Sequence, residues 1–457
     1  MPIFSHRSCL PVTTAEAFAW HSRPGALTRL LPPWRDLRLL TRDGTIHDGD
    51  CTVFTLGLGP FHQRWTAVHK DYRAGVSFTD VQEHGPFSHW EHLHAFASEP
   101  DSTCTLTDTI DWALPAWAEW LAPGVEKELA RTFAWRHRRT AQDLTRHRRH
   151  EGQPPLNIAI SGASGLIGSA LAAYLDAGGN RVLRLVRTAS LHEDHIAWNP
   201  LTGTIDPRLD GCDALVHLAG AGIADGLWSE SRKVAIRLSR IEATRRLCEE
   251  LTHLLRPPKT LICASAIGFY GDQGDSADES TSGGTGFLAE VCREWEAACA
   301  PAINAGIRVV HLRLGAVLAG NGGIISRLRP LFDCGIAGTL GDGSQAMSWI
   351  GLDDAVGAIH HLIQHDDLAG PFNLTAPAST TNAEFTDTLG TLLDRPTFFP
   401  VPASAVRCLF GEMGESMMLR GRTVMPRRLL ESGFPFLTPN LAACLAWELG
   451  LPPAAGA

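Results

Sequence analysis

Apolar and polar side chains alternate in five short runs of the first third of the chain: CTVFTLG, HQRWTAVH, GVSFTDVQ, SHWEHLHAFA and CTLTDTIDW. That period of two predicts half-buried β-strands, and the Gly, Pro and charged residues between them predict turns. A first strand, IFSHRSCLPV, precedes them and is followed by the short helical stretch TTAEAFAW. From Ala122 to His150 the period becomes helical, with Val125, Leu129, Phe133 and Leu144 near one face and bases gathered at the end. The polar, proline-bearing EGQPP then breaks the helix. Beyond it, apolar runs such as LNIAIS, RVLRLV and LICASA are interleaved with helical stretches such as SALAAYLDAG and SRIEATRRLCEELTHLL. This alternation predicts a parallel, doubly wound sheet.

The pattern divides the chain into residues 1–150, an α+β layer in which one long helix closes on an antiparallel sheet; residues 155–398, a Rossmann-type α/β domain; and residues 399–450, a small C-terminal helical region. A hollow between sheet and helix in the first part is a natural ligand pocket. The 44% hydrophobic and 19% charged residues suffice for packed cores and exclude a disordered chain. No run approaches the ~18 apolar residues that a membrane-spanning helix requires, and MPIFSHRSCLPV lacks the apolar stretch of a secretory signal, so a cytoplasmic protein without membrane association is expected. A net charge of -9 opposes attraction to nucleic acid. The basic run Arg146, Arg148 and Arg149 is explained by the preference of cations for a helix C-terminus. The 11 cysteines stand apart without zinc-site spacing and read as reduced, small hydrophobes. His92 and His94 share one face of a predicted strand, but spacing offers no third ligand, so a polar strand face and no metal are expected.

The strongest chemical signal is Gly162-Ala-Ser-Gly165-Leu-Ile-Gly168 between the strand LNIAIS and the next helix. Gly162 permits a tight turn, Gly165 lets the backbone approach a pyrophosphate, and Gly168 allows close helix-strand packing, with the phosphate charge at the helix N-terminus. The following strand ends at Val186 and Arg187, where a domain that prefers NAD places an acidic residue for the ribose 2′-hydroxyl. No acidic residue occurs before Glu193, whereas Arg187 can pair with a 2′-phosphate and Thr188 and Ser190 add donors, so NADP is the expected cofactor.

The segments SGASGLIGSAL, VHLAGAGI, SRKVAIRLSRIEAT, SAIGFYG, GFLAEVCREWEAA, RLGAVLAGNGG, GDGSQAMSWIGLDDAVGAI and GRTVMPRRLLESGFPF together resemble the atypical extended short-chain dehydrogenases, in particular the epimerase-family proteins related to short-chain dehydrogenase/reductase family 39U with their C-terminal domain of unknown function. The first 150 residues resemble the START-like helix-grip (SRPBCC, polyketide cyclase-like) domains, which implies an apolar small-molecule ligand there. The family resemblance implies NADP binding through the turn Gly162, Ser164, Gly165, Leu166, Ile167 and Gly168, through Val186 and Arg187, through Leu218 and Ala219, and through Arg240 and Val317. Some relatives carry Glu where this chain has Ala235, so that contact departs from the pattern.

Short-chain dehydrogenases use a Tyr-x-x-x-Lys pair, in which Lys lowers the phenol pKa for proton exchange with substrate. Tyr72, Tyr174 and Tyr270 are the three tyrosines, and none has Lys four residues on. Ser265 keeps the family serine position, Tyr270 is the tyrosine nearest in sequence, and Glu290 and Glu294 lie one helical turn apart where the pair would stand. Ser265, Tyr270 and Glu290 are the expected catalytic residues. Asp353 and Asp354 precede a helix and read as N-capping residues, Ser348 and Trp349 resemble a substrate-side loop, and Arg422, Arg427 and Arg428 read as surface charge or as neutralisers of an anionic ligand. An NADP-dependent oxidoreductase or epimerase-like enzyme acting on a small molecule is expected, with a non-catalytic nucleotide sensor or apolar-ligand binding protein as the alternative.

Overall fold

A computed structural model describes residues 2–58, 61–150, 152–188, 190, 192–272 and 274–452. Glu151 of the expected linker and Gln273 beyond Tyr270 lie outside the described residues. The chain forms two compact units, one comprising the chain up to Pro155 together with Ala173–Asn180 and Trp447–Pro452, the other Leu156–Ala172 and Arg181–Ala446.

In the first unit, strands β1 (Ile3–Leu10), β2 (Leu37–Asp43), β3 (Cys51–Leu58), β4 (Phe61–Arg73), β5 (Ser77–His84), β6 (His89–Ser98) and β7 (Cys104–Ala113) form an antiparallel sheet in the order β1-β7-β6-β5-β4-β3-β2. Helix α1 (Thr14–Ser22) starts at a capping box in which Thr13 and Glu16 satisfy each other's end groups. It is followed by α2 (Pro24–Arg29), and the long helix α3 (Ala122–Arg148) closes the sheet. The alternation seen in sequence sends Phe4, Ile110, Trp112, Leu129 and Phe133 into one apolar cluster and Leu10, Phe18, Trp20, Phe78, Phe96 and Leu106 into another. Trp34, Trp135 and Trp447 pack together, with ring centroids 5.3 and 5.6 Å apart along the series, and so tie Trp447–Pro452 to this unit. Arg146 of the basic run is buried, and Arg148 donates to the Pro11 carbonyl.

The second unit is built on a parallel sheet. Its strands β8 (Asn157–Ser161), β9 (Arg181–Val186), β10 (His195–Ala197), β11 (Ala214–His217) and β12 (Thr260–Ala266), with the strands Arg308–Leu314 and Gly370–Leu374, run in the order β10-β9-β8-β11-β12 and then the last two. The order reverses direction beside β8, which is the switch point where α/β sheets bind nucleotides. Helices α4 (Leu166–Ala177), α5 (Glu230–Arg237), α6 (Ala243–His253) and α7 (Phe287–Ala297) connect the strands. Residues 399–446 of the C-terminal region belong to this unit. Its strand Thr423–Val424 pairs with Ser276–Ala277, and the Ser348 hydroxyl donates to the Arg422 carbonyl while accepting from the Val424 amide. The Asp354 carboxylate accepts from the amides of Leu437 and Thr438 and from the Thr438 hydroxyl. Asp354 therefore anchors this segment, and Ser348 and Trp349 are buried in the same seam.

Among the described residues, no helix is long and apolar enough to cross a membrane.

Candidate cofactor and active site

The turn from β8 into α4 has the geometry that the three glycines predict. Gly162 has φ +72°, and a Cβ there would lie 2.9 Å from the Ala219 amide nitrogen and from the Leu218 carbonyl carbon. A Cβ on Gly168 would come within 2.1 Å of the Gly162 carbonyl oxygen. Gly165 meets only that oxygen, at 3.2 Å, and is exposed together with Ser164. The N-terminus of α4, beginning at Leu166 and Ile167, thus opens beside a backbone stripped of side chains. The turn is held from below by a buried chain: Ser161 Oγ lies 2.6 Å from His217 Nδ1, and His217 Nε2 lies 3.0 Å from Thr244 Oγ1, which also accepts from Trp295 Nε1. Burial pushes the His217 pKa down to about 4, so this imidazole is neutral at pH 7.

Leu218 and Ala219 continue β11 directly against the turn, while Val186 and exposed Arg187 end β9. Val317 belongs to the strand Ala316–Ala319, whose following turn approaches α4: a Cβ on Gly322 would meet Leu166 Cδ1 at 2.7 Å. Arg240 lies in a π-helical turn, Leu238–Glu242, between α5 and α6. Such turns concentrate at functional sites because they force one residue out of the α-helical register. Its side chain is buried at 6% exposure, its guanidinium stands 5.1 Å from the Trp295 ring centroid, and a Cβ on Gly220 would lie 3.4 Å from its Cζ. Burial pushes the Arg240 pKa down. Nε has no hydrogen-bond partner, Nη1 reaches only the Ile236 carbonyl and Ser239 Oγ at 3.5 Å, and among the described residues Arg240 makes no ion pair. A buried cation without a counter-ion beside a small-residue loop, together with a glycine turn at a helix N-terminus, fits an anionic dinucleotide.

At the end of β12, Ser265 Oγ donates to Glu296 Oε1 at 2.8 Å. Glu296 is in turn gripped by Arg313, from Nε to Oε1 at 2.8 Å and from Nη2 to Oε2 at 2.9 Å. Arg313 Nη1 donates to the Tyr270 hydroxyl at 2.9 Å, and that hydroxyl donates to Asn373 Oδ1 at 2.7 Å. Tyr270 is 1% exposed, and burial pushes its pKa up. Its hydroxyl is therefore committed within the protein as both donor and acceptor. The structure joins Ser265 and Tyr270 in one network, but through Glu296 and Arg313, which no motif marks. Glu290, expected beside Ser265, instead pairs with Arg237 at 3.0 Å on an exposed face, and Glu294 does the same at 2.6 Å. Helix phase explains the substitution: Ala289, Val291, Cys292 and Trp295 form the buried stripe of α7, and Glu296 borders it whereas Glu290 does not reach Ser265. Leu288 and Cys292 of α7 face Gly268, two residues beyond the β12 end, and burial pushes the Cys292 pKa up to about 11.

Of the remaining charged candidates, Arg422 donates to the Tyr270 and Ser276 carbonyls, Arg428 to those of Pro371 and Ala369, and Arg427 pairs with Glu431 and Asp278.

Residues 158–374 match the family described as NAD dependent epimerase/dehydratase, and residues 401–448 match a domain of unknown function, DUF1731. The epimerase family protein Mb2239 of Mycobacterium bovis is 44% identical over 297 residues, covering 65% of this chain and 98% of that relative. A solved nucleoside-diphosphate sugar epimerase from Corynebacterium glutamicum is similar over 98% of this chain and 90% of its own, at 32% identity and a TM-score of 0.82. The human epimerase family protein SDR39U1, solved with NADPH, is similar over 64% of this chain and 99% of its own, at 32% identity and a TM-score of 0.61. By its parallel sheet with a glycine turn at the switch point and by its identity to relatives matched along nearly their whole length, the chain belongs to the NAD dependent epimerase/dehydratase family.

Proposed function

We propose that the second unit is an NADP(H)-dependent oxidoreductase or epimerase-like enzyme acting on a small molecule at the mouth formed by the ends of β8, β11 and β12. The observation that carries this reading is Arg240, a buried guanidinium without a counter-ion among the described residues, on the approach to the glycine turn. The turn from Gly162 to Gly168 would hold the pyrophosphate, Arg187 the 2′-phosphate, and Leu218, Ala219 and Val317 the flanks of the cofactor. Support for the phosphorylated cofactor comes from exposed Arg187 at the end of β9 and from the human relative, which was solved with NADPH. When bound, NADPH supplies a hydride. The chain's own contribution at the reacting end is the Ser265–Glu296–Arg313 relay. With its hydroxyl donating to Glu296, Ser265 is placed to relay one proton between Glu296 and a substrate oxygen: in reduction a proton on Glu296, which Arg313 holds in place, passes through Ser265 to the oxygen as hydride reaches its carbon, and in the reverse, oxidising direction the hydroxyl proton returns by the same path. Tyr270, saturated by Arg313 and Asn373, positions this relay and is not its acid.

Calorimetric titration with NADPH and NADH tests the cofactor, and transfer of deuterium from stereospecifically labelled NADPH to a metabolite extract tests the chemistry. Binding of neither nucleotide would remove the reading. The second reading, a nucleotide sensor without turnover, is favoured by the committed Tyr270 hydroxyl and the missing Lys, and it predicts NADPH binding with no deuterium transfer.

For the first unit, the antiparallel sheet closed by α3 supports the START-like, helix-grip reading. Its interior is not uniformly apolar, because His92, His137 and Asp108 are buried there.

A further inference from the structure

The sheet register of the first unit assembles a cluster that no spacing rule reveals. Asp80 on β5 stands directly opposite His92 on β6, and His94 on β6 stands directly opposite Asp108 on β7. Side chains two apart share a face, so all four project together. That face looks toward α3: the His92 ring meets the Phe133 ring at 5.1 Å, and His137 of α3 approaches Asp108 Oδ2 at 2.5 Å.

On one side, Asp80 Oδ1 lies 3.1 Å from His92 Nδ1 and 3.2 Å from His94 Nε2, and each of these three residues offers a donor atom within 4.8 Å of the donors of the other two. Three ligands about 2.1 Å from a single first-row ion are spaced roughly 3 to 3.5 Å apart, which the Asp80 distances match. On the other side, Asp108 Oδ1 lies 2.8 Å from His92 Nε2 and 2.7 Å from His94 Nδ1. The His92 contact is an aligned hydrogen bond, whereas the His94 contact runs off the ring's N–H direction, so Nδ1 of His94 is a buried nitrogen without an aligned partner. A carboxylate behind the His92 imidazole is the arrangement that orients a metal-bound histidine and raises its basicity. Asp108 is itself fixed by His137, whose Nδ1 is 2.6 Å from Ser8 Oγ.

We propose that Asp80, His92 and His94 form a mononuclear site for a divalent first-row transition metal, with Asp108 as the supporting carboxylate and His137 and Ser8 as its anchors. The ligand set is two imidazoles and one carboxylate on one face, which leaves coordination positions for water or a small oxygen ligand. Side-chain exposure of 20% at Asp80, 12% at His94 and 4% at His92 puts those positions on the Asp80 side. Charge balances, since a divalent ion neutralises Asp80 and Asp108 with both imidazoles neutral.

The test uses the full chain, stripped with chelator and titrated separately with Zn2+, Mn2+, Fe2+ under anaerobic conditions and Co2+, with metal content read after gel filtration. About one equivalent of at least one ion is expected to remain, with Co2+ giving visible ligand-field bands of a nitrogen and oxygen site. Asp80→Asn and His94→Gln are each expected to weaken binding at least ~100-fold, and Asp108→Asn by ~10- to 100-fold. X-ray absorption of the wild-type metal complex supplies a readout that survives misfolding of any variant: it should report two imidazoles and no sulfur. Retention of none of the four ions, undiminished binding by folded Asp80→Asn and His94→Gln, or sulfur in the first shell would each overturn the assignment.

Discussion

Replacing Arg240 with Met separates a guanidinium kept for a ligand from one kept for the fold. In the free protein Arg240 is 6% exposed, Nε is unpartnered, and its two Nη1 contacts are 3.5 Å long. Burying such a charge costs several kcal/mol, and the contact with the Trp295 ring returns about 1 kcal/mol. Met keeps most of the stem's packing and removes the charge. The ligand-free variant should therefore match or exceed wild-type stability, by up to ~2 kcal/mol, a rise of a few degrees in Tm for a unit of this size. NADPH affinity should move the other way. A charge-assisted hydrogen bond in a buried site contributes about 1.5 to 3 kcal/mol, so Kd should rise ~10- to 150-fold. Denaturant unfolding without ligand and calorimetry with NADPH measure the two effects independently. A variant that loses more than ~1 kcal/mol of stability yet binds NADPH as tightly as wild type would refute the reasoning and make Arg240 a structural prop.

Gly168→Ala places a methyl group 2.1 Å from a backbone oxygen and should cost ~1 to 3 kcal/mol in unfolding experiments, whereas Gly165→Ala, at 3.2 Å from the same oxygen on an exposed turn, should cost less than ~1 kcal/mol while reducing NADPH affinity. Arg187→Asp should lower NADPH affinity by at least ~10-fold and leave NADH affinity unchanged or improved; equal loss for both nucleotides by calorimetry would remove Arg187 from the 2′-phosphate site. Glu296→Gln breaks a nearly buried pair with Arg313 and should cost ~2 to 4 kcal/mol in urea unfolding, while Glu290→Gln, on an exposed pair, should change stability by less than ~0.5 kcal/mol. His217 has its folded pKa pushed down to about 4, below the ordinary value of 6.5, so the unfolded chain takes up the proton first as pH falls. Its contribution is fully present above pH ~6.5 and is lost progressively down to pH ~4, about 3 kcal/mol in all; His217→Asn should flatten the stability profile across that window, and an unchanged slope would show that other groups set it.

The glycine turn was legible because its constraint is local. A positive φ at Gly162 and a backbone oxygen against Gly168 are requirements that a few consecutive residues state on their own, and the flanking strand and helix need only their periodicity. The Ser265–Glu296–Arg313 network was harder to read because it depends on helix phase. Glu290, Glu294 and Glu296 occur within seven residues, and it is the apolar stripe Val291, Cys292 and Trp295, not the position of the missing Tyr-x-x-x-Lys pair, that marks Glu296 as the one beside the core. Arg313 enters from the neighbouring strand and Asn373 from the one beyond, pairings set by crossovers of tens of residues. The seam that joins the C-terminal region to the parallel-sheet unit was not legible, because its anchors are single side chains, Asp354 and Ser348, and a two-residue strand, none of which has a period to detect.

The histidine pair of β6 isolates the difference between what a strand states and what a sheet adds. Sequence shows that His92 and His94 share a face, and from that alone a solvated polar face is the simpler account. A solvated face needs exposed rings, yet His92 is 3% exposed and His94 stacks on Phe78 with centroids 4.2 Å apart. Two imidazoles withdrawn from water must be compensated, and the compensation comes from Asp80 and Asp108, which lie opposite them only because the turns before and after β6 set that register and no other. A slip of one residue on either neighbouring strand would send a carboxylate to the far face and leave the rings uncompensated. The register of β5, β6 and β7 is thus constrained by the same four side chains that form the metal-binding geometry.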